Sequence, residues 1–408
     1  MNTALSYTSS ANSADLQDNI ANTQSVVISK ITLSNYRSYS RLRLNAKPGL
    51  SIITGANGAG KTNFLEALSL LSAGRGLRQA RFSEIASQIS NSSNVLNTKN
   101  KINHWGVAAD VSTPKGAISI GIGWKAGNTD RREIKVNGSL GISQTELSKY
   151  VPMVWLTPAM DRLFAEPAAA RRRFLDRLVF AFDPSHAGRL QAYERARRER
   201  KIIFYENPRH TSWISALERT MVERGVAIAA ARLDLIERLK ESIDKGSSAF
   251  PKPEILIEGK VEDWLKNHPA LEVEERYQNM LTQSRKKDAE TGNCEGIHRS
   301  DLIARLNIGG LSAQFASTGE QKAILIAIIF AHSRLLTCLK GAIPVLLLDE
   351  ITAHLDSVRR DALFEELYEL GAQAWLTGTD KSLFSTMSGK SKFYSVVNGL
   401  ISEHGDND

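Results

Sequence analysis

The side chains best placed to do chemistry lie in Gly55-Ala56-Asn57-Gly58-Ala59-Gly60-Lys61-Thr62, a match to G-x-x-x-x-G-K-[ST]. Glycines let backbone N–H groups turn inward and approach phosphate oxygens with no side chain in the way. The same N–H groups would open a helix, whose partial positive charge favours an anion. Lys61 is placed to reach β- and γ-phosphates, and the Thr62 hydroxyl to help hold Mg2+. The competing reading is a tight strand-to-helix turn that binds nothing. The pattern requires a strand before the loop and a helix after it, and apolar Ser51–Thr54 and helical Asn63–Leu68 supply both. We read the stretch as a nucleotide phosphate site.

A second group of candidates lies far downstream. Ile343-Pro344-Val345-Leu346-Leu347-Leu348-Asp349-Glu350 reads as a strand buried on both faces and ending in two carboxylates. Asp349 at that end could bind Mg2+ through its water shell, and Glu350 could orient or deprotonate an attacking water. Between the two groups, Ser317-Thr318-Gly319-Glu320-Gln321 opens an apolar helix, with Ser317 as N-cap and Glu320 at N3. By itself it is only a helix cap; its place just before the acidic strand gives it weight. Nearly three hundred residues separate Lys61 from Asp349, which points to a nucleotide-binding head interrupted by an insertion.

The elements that must position these groups fit a chain of 408 residues, long enough for one large domain and a smaller one. Residues 1–25 are polar and read as a disordered tail without a signal pattern. Val26–Leu33, Leu42, Leu44 and Leu50–Ile53 suggest a small sheet leading to the phosphate loop, and residues 87–103 a polar surface loop. Val107–Trp124 and Arg132–Val136 read as strands, with a hairpin turn at Asn137-Gly138. Val154–Leu156 is one more strand. Ala168–Lys245 is helical, broken at Asp183-Pro184 and Asn207-Pro208, and its helices are expected to be short. No stretch sustains the heptads of a long coiled coil. Glu254–Ile257 is expected as a strand and residues 261–290 as charged helix.

The domain reading is a head in two parts, 26–165 and 291–408, around a helical lobe at 166–290. No apolar run of transmembrane length is expected and no membrane partner. Cys294 and Cys338 stand apart in sequence, which fits a reducing cytoplasm; Cys338 is expected in the core. A net charge of +8 favours a polyanionic partner. Arg171-Arg172-Arg173 and Arg195, Arg197, Arg198 and Arg200 could lie along a phosphate backbone or form a solvated helix face.

The phosphate loop, Ser317–Gln321, Asp349-Glu350 and His354-Leu355-Asp356 resemble the ABC-type P-loop head of SMC-related ATPases: an α/β fold with a mixed sheet and an inserted, mainly helical lobe. Within that group the chain is similar to the RecF recombination-mediator family. Leu33–Tyr39, Gly55–Ala67, Arg171–Asp176 and Gly296–Leu302 carry the likeness, which runs from about residue 28 to 400. The resemblance implies an ATP-dependent homodimer in which each ATP lies between one subunit's phosphate loop and the other's Ser317–Gln321. It implies a place near the phosphates for Arg37, a linking loop at Asp356 and a nucleotide-sensing segment around Pro158. It also implies binding to double-stranded DNA near single-strand gaps, and action with RecO and RecR in loading RecA.

The chain departs from that pattern at several positions. Thr318 and Ala316 replace the glycine and leucine of many transporter heads. Thr377 stands where those heads carry a switch histidine, and threonine cannot carry a proton as imidazole can. Slow turnover is therefore expected. Ser300 replaces an acidic residue usual in the family's motif. Other readings are the ATP-binding subunit of a transporter, or another SMC-like structural or nuclease-partner ATPase.

Overall fold

A computed structural model describes residues 24–86, 104–127, 131–206, 210–246, 250–306 and 310–404. The tail expected at 1–25 falls almost wholly outside these residues, as do the loop expected at 87–103 and the Asn207-Pro208 break. In chain order, β1 (Val27–Tyr36), β2 (Tyr39–Asn45) and β3 (Leu50–Thr54) precede helix α1 (Lys61–Ser69). Then come β4 (His104–Thr113), β5 (Gly116–Lys125), β6 (Glu133–Val136), β7 (Ser139–Leu140), α2 (Gln144–Leu147) and β8 (Met153–Leu156). Helices α3 (Ala168–Phe182), α4 (His186–Glu206) and α5 (Thr211–Lys245) lead to β9 (Glu254–Glu258). They are followed by α6 (Lys260–Leu265), α7 (Ala270–Gln283), α8 (Arg285–Thr291) and β10 (Asp301–Arg305). The chain ends with α9 (Thr318–Lys340), β11 (Val345–Leu348), α10 (Ser357–Leu370), β12 (Ala374–Gly378), β13 (Lys392–Val397) and β14 (Leu400–Glu403).

These elements pack as two units. The first gathers residues up to Trp155, Ser333–Asp349 and Leu363 onward; the second gathers Leu156–His332 and Glu350–Ala362. The first unit holds two six-stranded sheets. One is antiparallel, in the order β2-β1-β4-β5-β6-β7. The other runs β14-β13-β3-β12-β11-β8, with β13, β3, β12 and β11 parallel. The sequence suggested that β1, β2 and β3 form one small sheet; β3 instead sits at the centre of the parallel sheet. Burial explains the separation. All five residues of β3 are buried, whereas β2 alternates buried Leu42 and Leu44 with exposed Arg41 and Arg43. A strand covered on both faces belongs inside a parallel sheet, and an alternating one belongs to a sheet with one face in water.

Helix α1 lies in the core between the sheets. Phe64 meets Tyr39 on one side and Trp375 on the other, and Trp375 stacks on Tyr394. The fully buried Gln373 amide accepts from the Ile28 N–H at 2.8 Å and donates to the Ile28 and Lys47 carbonyls at 3.0 and 3.1 Å. The Asn137-Gly138 turn has φ 49° and 83°, the hairpin geometry that these two residues favour.

In the second unit β9 and β10 pair antiparallel beside a helical body. The expectation of short helices is corrected: α4 has 21 residues and α5 has 35. Buried positions in α5 recur every seven residues at 214, 221, 228, 235 and 242, with 218, 225, 232 and 239 between them. Glu218, Gly225 and Arg232 occupy part of the second set, so counting apolar residues hides the repeat. Their burial is compensated locally. Glu218 pairs with Arg200 and Arg285, and Arg232 grips Asp176 through two bonds of 2.8 Å.

Helix α9 corrects a second expectation. It is long and apolar enough to cross a membrane by length and composition, but 78% of its most apolar window is buried inside the protein. That is the pattern of a core helix. Cys338, on this helix, is only partly buried, while Cys294 is buried.

Candidate functional site

The phosphate loop departs from β3 in a conformation that needs glycine at its turning points. Gly55, Gly58 and Gly60 have φ of 153°, 81° and 121°. A Cβ on Gly60 would lie 2.8 Å from Ser38 Oγ and 3.0 Å from the Tyr39 hydroxyl; one on Gly55 would lie 2.6 Å from the Val396 carbonyl oxygen. The Tyr39 hydroxyl donates to the Gly60 carbonyl at 2.9 Å, and burial pushes its pKa up, so it stays a donor. Lys61, 4% exposed, bends back over the loop and donates to the Gly55 and Ala56 carbonyls at 2.7 and 3.3 Å. The result is a curved backbone with a lysine across it, a cradle that side chains at Gly55 and Gly60 would distort by running into Val396, Ser38 and Tyr39.

Three neighbouring strand ends meet beside this loop. β3 leads through the loop to Thr62, β12 carries Thr377, and β11 delivers Asp349, which is 3% exposed. The Thr62 hydroxyl donates to both Asp349 carboxylate oxygens at 2.9 and 3.0 Å, and the Thr377 hydroxyl donates at 2.7 Å. Ligands of open α/β sheets bind outside the carboxyl ends of such strands. Among the described residues no group of three or more His, Cys, Asp or Glu could hold a metal. A magnesium ion shared with nucleotide phosphates needs only one or two carboxylates from the protein, and the Thr62–Asp349 pair suits it.

Arg37, in a left-handed turn with φ 48°, places its guanidinium on the buried Glu66 carboxylate of α1 through Nε and Nη2, the latter at 2.7 Å. Those bonds raise its pKa further. The cavity beside the loop, about 620 Å3, is lined by residues 54–59 and, opposite, by Thr379, Asp380, Lys381, Asn398 and His404. Sequence reasoning gave none of these opposite residues a role, nor Tyr39 and Glu66. Thr379 and Asp380 follow the end of a buried strand, the one signal that could have found them.

The remaining candidates sit in the second unit. Ser317 and Glu320 form the expected capping box: the Glu320 N–H donates to Ser317 Oγ at 3.3 Å, and the Ser317 N–H to Glu320 Oε2 at 2.8 Å. The Gly319 backbone packs so closely on the His354 carbonyl that a Cβ would lie 3.0 Å from it. Two residues on, Asp356 accepts the Arg359 N–H at 2.8 Å. Gln321 donates to the Ala316 carbonyl at 3.0 Å. Buried Lys322 donates to the Glu350 carbonyl at 3.0 Å and to Asp161 at 3.2 Å. It thereby ties the start of α9 to Glu350, whose φ is 48°, and to the segment after Pro158. Lys61, Thr62, Asp349, Thr377 and Arg37 thus share one unit, and Ser317–Gln321, Glu350 and Asp356 the other.

The arginine-rich stretches form no continuous free cationic face. Arg171 is bonded to Asp301 at 2.6 and 2.7 Å, Arg172 to the Ser300 carbonyl at 2.6 Å, and buried Arg200 to Glu218 and Asp288. Arg197 pairs with Glu194. Arg173, Arg195 and Arg198 are exposed. The expected phosphate-facing surface therefore loses Arg171, Arg172 and Arg200 to internal packing.

A parallel sheet with the phosphate loop on one strand, the acidic end on the next but one and a capped helix start in a second unit defines an ABC-type ATPase head. The comparisons agree. The RecF/RecN/SMC N-terminal domain model matches residues 27–402. The DNA replication and repair protein RecF of Mesorhizobium japonicum is 43% identical over 378 residues, 92% of this chain and 97% of that protein. Its counterpart in Rhizobium meliloti is 39% identical, over 92% and 99%. A solved structure of the recombination mediator protein RecF with ATPrS superposes with a TM-score of 0.80 at 24% identity, covering 94% of this chain and 99% of that one. An Smc head domain from Pyrococcus furiosus, at 16% identity and over 93% and 96%, gives a TM-score of 0.50. The chain belongs to the RecF family, within the wider group of SMC-type ATPase heads.

Proposed function

We propose that this protein is an ATP-dependent DNA-binding clamp of recombinational repair and replication-fork maintenance. The observation that carries the proposal is the convergence of Thr62 and Thr377 on Asp349 beside the glycine-built cradle. In this reading the N–H groups of Gly55–Lys61 and the Lys61 ammonium hold the ATP phosphates, while Thr62 and Asp349 hold Mg2+, which offsets charge on the β- and γ-oxygens. Arg37 supports the loop through Glu66. Glu350 positions the attacking water and accepts its proton.

Ser317–Gln321 of a second copy completes the site, with Asp356 linking the two sites and Thr377 in place of a switch histidine. Pairing of two chains then depends on the nucleotide, because neither copy encloses the phosphates alone. The protein would hydrolyse ATP slowly, be stimulated by DNA, bind double-stranded DNA near gaps and act in the cytoplasm. A RecF structure described as part of the RecFOR pathway supports RecO and RecR as partners, with RecA as the protein loaded. A head of 26–165 and 291–408 around a lobe of 166–290 belongs to the same reading. The test is ATP turnover with and without a gapped duplex at two salt concentrations. DNA-stimulated, salt-sensitive turnover supports the proposal, and turnover indifferent to DNA refutes it.

A further inference from the structure

We propose that the outer face of the antiparallel sheet seats duplex DNA, in a trough floored by β1, β4 and β5 and walled by cations on β2 and β6. This rests on the DNA-binding reading above and assigns a surface to it. The inner face carries the core residues Leu42, Leu33, Val107, Ile122 and Ile134. By alternation the outer face carries Arg41 and Arg43 on β2 and Lys135 on β6, all exposed. The floor between them is Thr32, Ser34, Gly106, Ala108, Gly121 and Gly123, around a groove of about 320 Å3.

Two independent observations set this face apart from an ordinary solvated one. The first is that two of its three glycines, Gly106 and Gly121, are not required by the fold; the third, Gly123, does face a close neighbour, the Trp105 carbonyl oxygen 3.3 Å from its would-be Cβ. A Cβ on Gly106 or Gly121 would meet nothing closer than 3.9 Å, and neither residue has a positive φ. Glycine inside a strand costs about 0.5–1 kcal/mol relative to alanine and marks sites where something approaches the backbone closely. At Gly106 and Gly121 no internal neighbour needs the room, so that part of the floor is open to a ligand.

The second is charge. Among the described residues, Arg41, Arg43, Lys125 and Lys135 take part in no ion pair. Lys30 and Asp110 neutralise each other at 3.6 Å. Glu133, across from Arg41 in the pairing register, is the one other carboxylate on the outer face of β1, β2, β4, β5 and β6. A net cationic trough, its floor carrying Lys125 at one end and the closed Lys30–Asp110 pair at the other, is complementary to a polyanion.

Register and spacing point to a duplex. Arg43, Thr32, Ala108, Gly121 and Lys135 form one continuous row across five strands. Four inter-strand steps put the walls about 19 Å apart, enough to span a major groove of about 12 Å and the phosphate ridges beside it. Arg41 and Arg43, two residues apart, are separated by about 6.8 Å along the strand, or two steps of about 3.4 Å on one DNA strand. Contacts of this kind neutralise phosphates without reading bases.

The test is fluorescence anisotropy of a 30-base-pair mixed-sequence duplex with the full chain and ATP, titrated between 50 and 200 mM salt. An Arg41→Gln/Arg43→Gln variant should lower the slope of log K against log salt by about 1.8 and weaken binding roughly 30-fold at 0.15 M salt. Gly121→Leu keeps every charge but blocks the floor, and should weaken binding at least ten-fold with an unchanged melting temperature. Lys286→Gln/Lys287→Gln, which removes the same number of charges from the exposed face of α8, should alter neither quantity beyond a two-fold change in affinity. Wild-type affinity and slope in both sheet variants would overturn the surface. So would variants that hold the duplex normally but fail to pair in light scattering, since the trough would then seat a second copy. If the unmodified chain holds no duplex with ATP, the DNA-binding reading itself fails along with the surface.

Discussion

Replacing Gly60 by alanine tests whether the loop's shape is what binds phosphate. At φ 121° the added methyl enters a region that side chains rarely adopt, and it lands 2.8 Å from Ser38 Oγ and 3.0 Å from the Tyr39 hydroxyl. Ser38 Oγ already accepts Asn63 Nδ2 at 3.0 Å, and the fully buried Tyr39 ring cannot retreat. Backbone strain of about 1–3 kcal/mol and overpacking of about 1–3 kcal/mol together give a cost of about 2–6 kcal/mol if the loop keeps its shape. The loop can instead deform, which breaks the Tyr39 bond to the Gly60 carbonyl and turns the N–H groups away.

Gly58→Ala is the control. Its φ of 81° is also positive, but nothing lies within 4 Å of the added carbon, so the cost is about 1–2 kcal/mol. Thermal melting and calorimetric titration with an ATP analogue would separate the two. Gly60→Ala should melt at least 5 °C lower or lose nucleotide binding by more than ten-fold, while Gly58→Ala should melt within about 4 °C of the parent. A Gly60→Ala protein that melts and binds nucleotide like the parent would refute the argument that contact with Ser38 and Tyr39 fixes the cradle.

Thr377→Val removes a hydroxyl that donates to an ionised carboxylate, and should cost about 1.5–3 kcal/mol in urea unfolding; Thr377→Ser should restore most of it. Glu350→Gln should bind ATP with parental affinity and lose at least a hundred-fold in turnover, and a smaller loss in steady-state phosphate release would contradict its assignment as base. His298, beside the Tyr193 hydroxyl at 2.7 Å, is pushed down by burial to about 4. The folded state therefore disfavours the charged ring. Stability from this group is complete above about pH 6.5 and is lost as pH falls towards 4, by about 2 kcal/mol after solvent screening. Urea melts at pH 7.5 and 4.0 should show that drop, and His298→Gln should flatten it.

Local chemistry made most of the nucleotide half legible. The spacing from Gly55 to Thr62 and the apolar run into Asp349 each imply a conformation with few alternatives, and both stand where that chemistry puts them. The capping box at Ser317 was readable for the same reason. What was not legible depends on long-range pairing. Nothing local to Leu50–Thr54 says that it joins β12 and β13 rather than β1 and β2. Tyr39 reaches the loop only through contact between distant segments, and Glu66, in the second turn of α1, shows its role only when Arg37 from the β1–β2 turn closes on it. In α5 the polar side chains of Glu218 and Arg232 masked a buried repeat, because their partners Arg200, Arg285 and Asp176 lie on other helices. The arginine stretches misled for the matching reason: a run of like charge does not reveal how many of its members find carboxylates inside the fold.

If two copies pair through a shared ATP, light scattering will show the pairing as a change of mass. With Glu350→Gln and ATP plus Mg2+, the mass should rise from 45.0 kDa to about twice that value, and return to 45.0 kDa with ADP. The same mass under all nucleotide conditions, whether single or double, would contradict it.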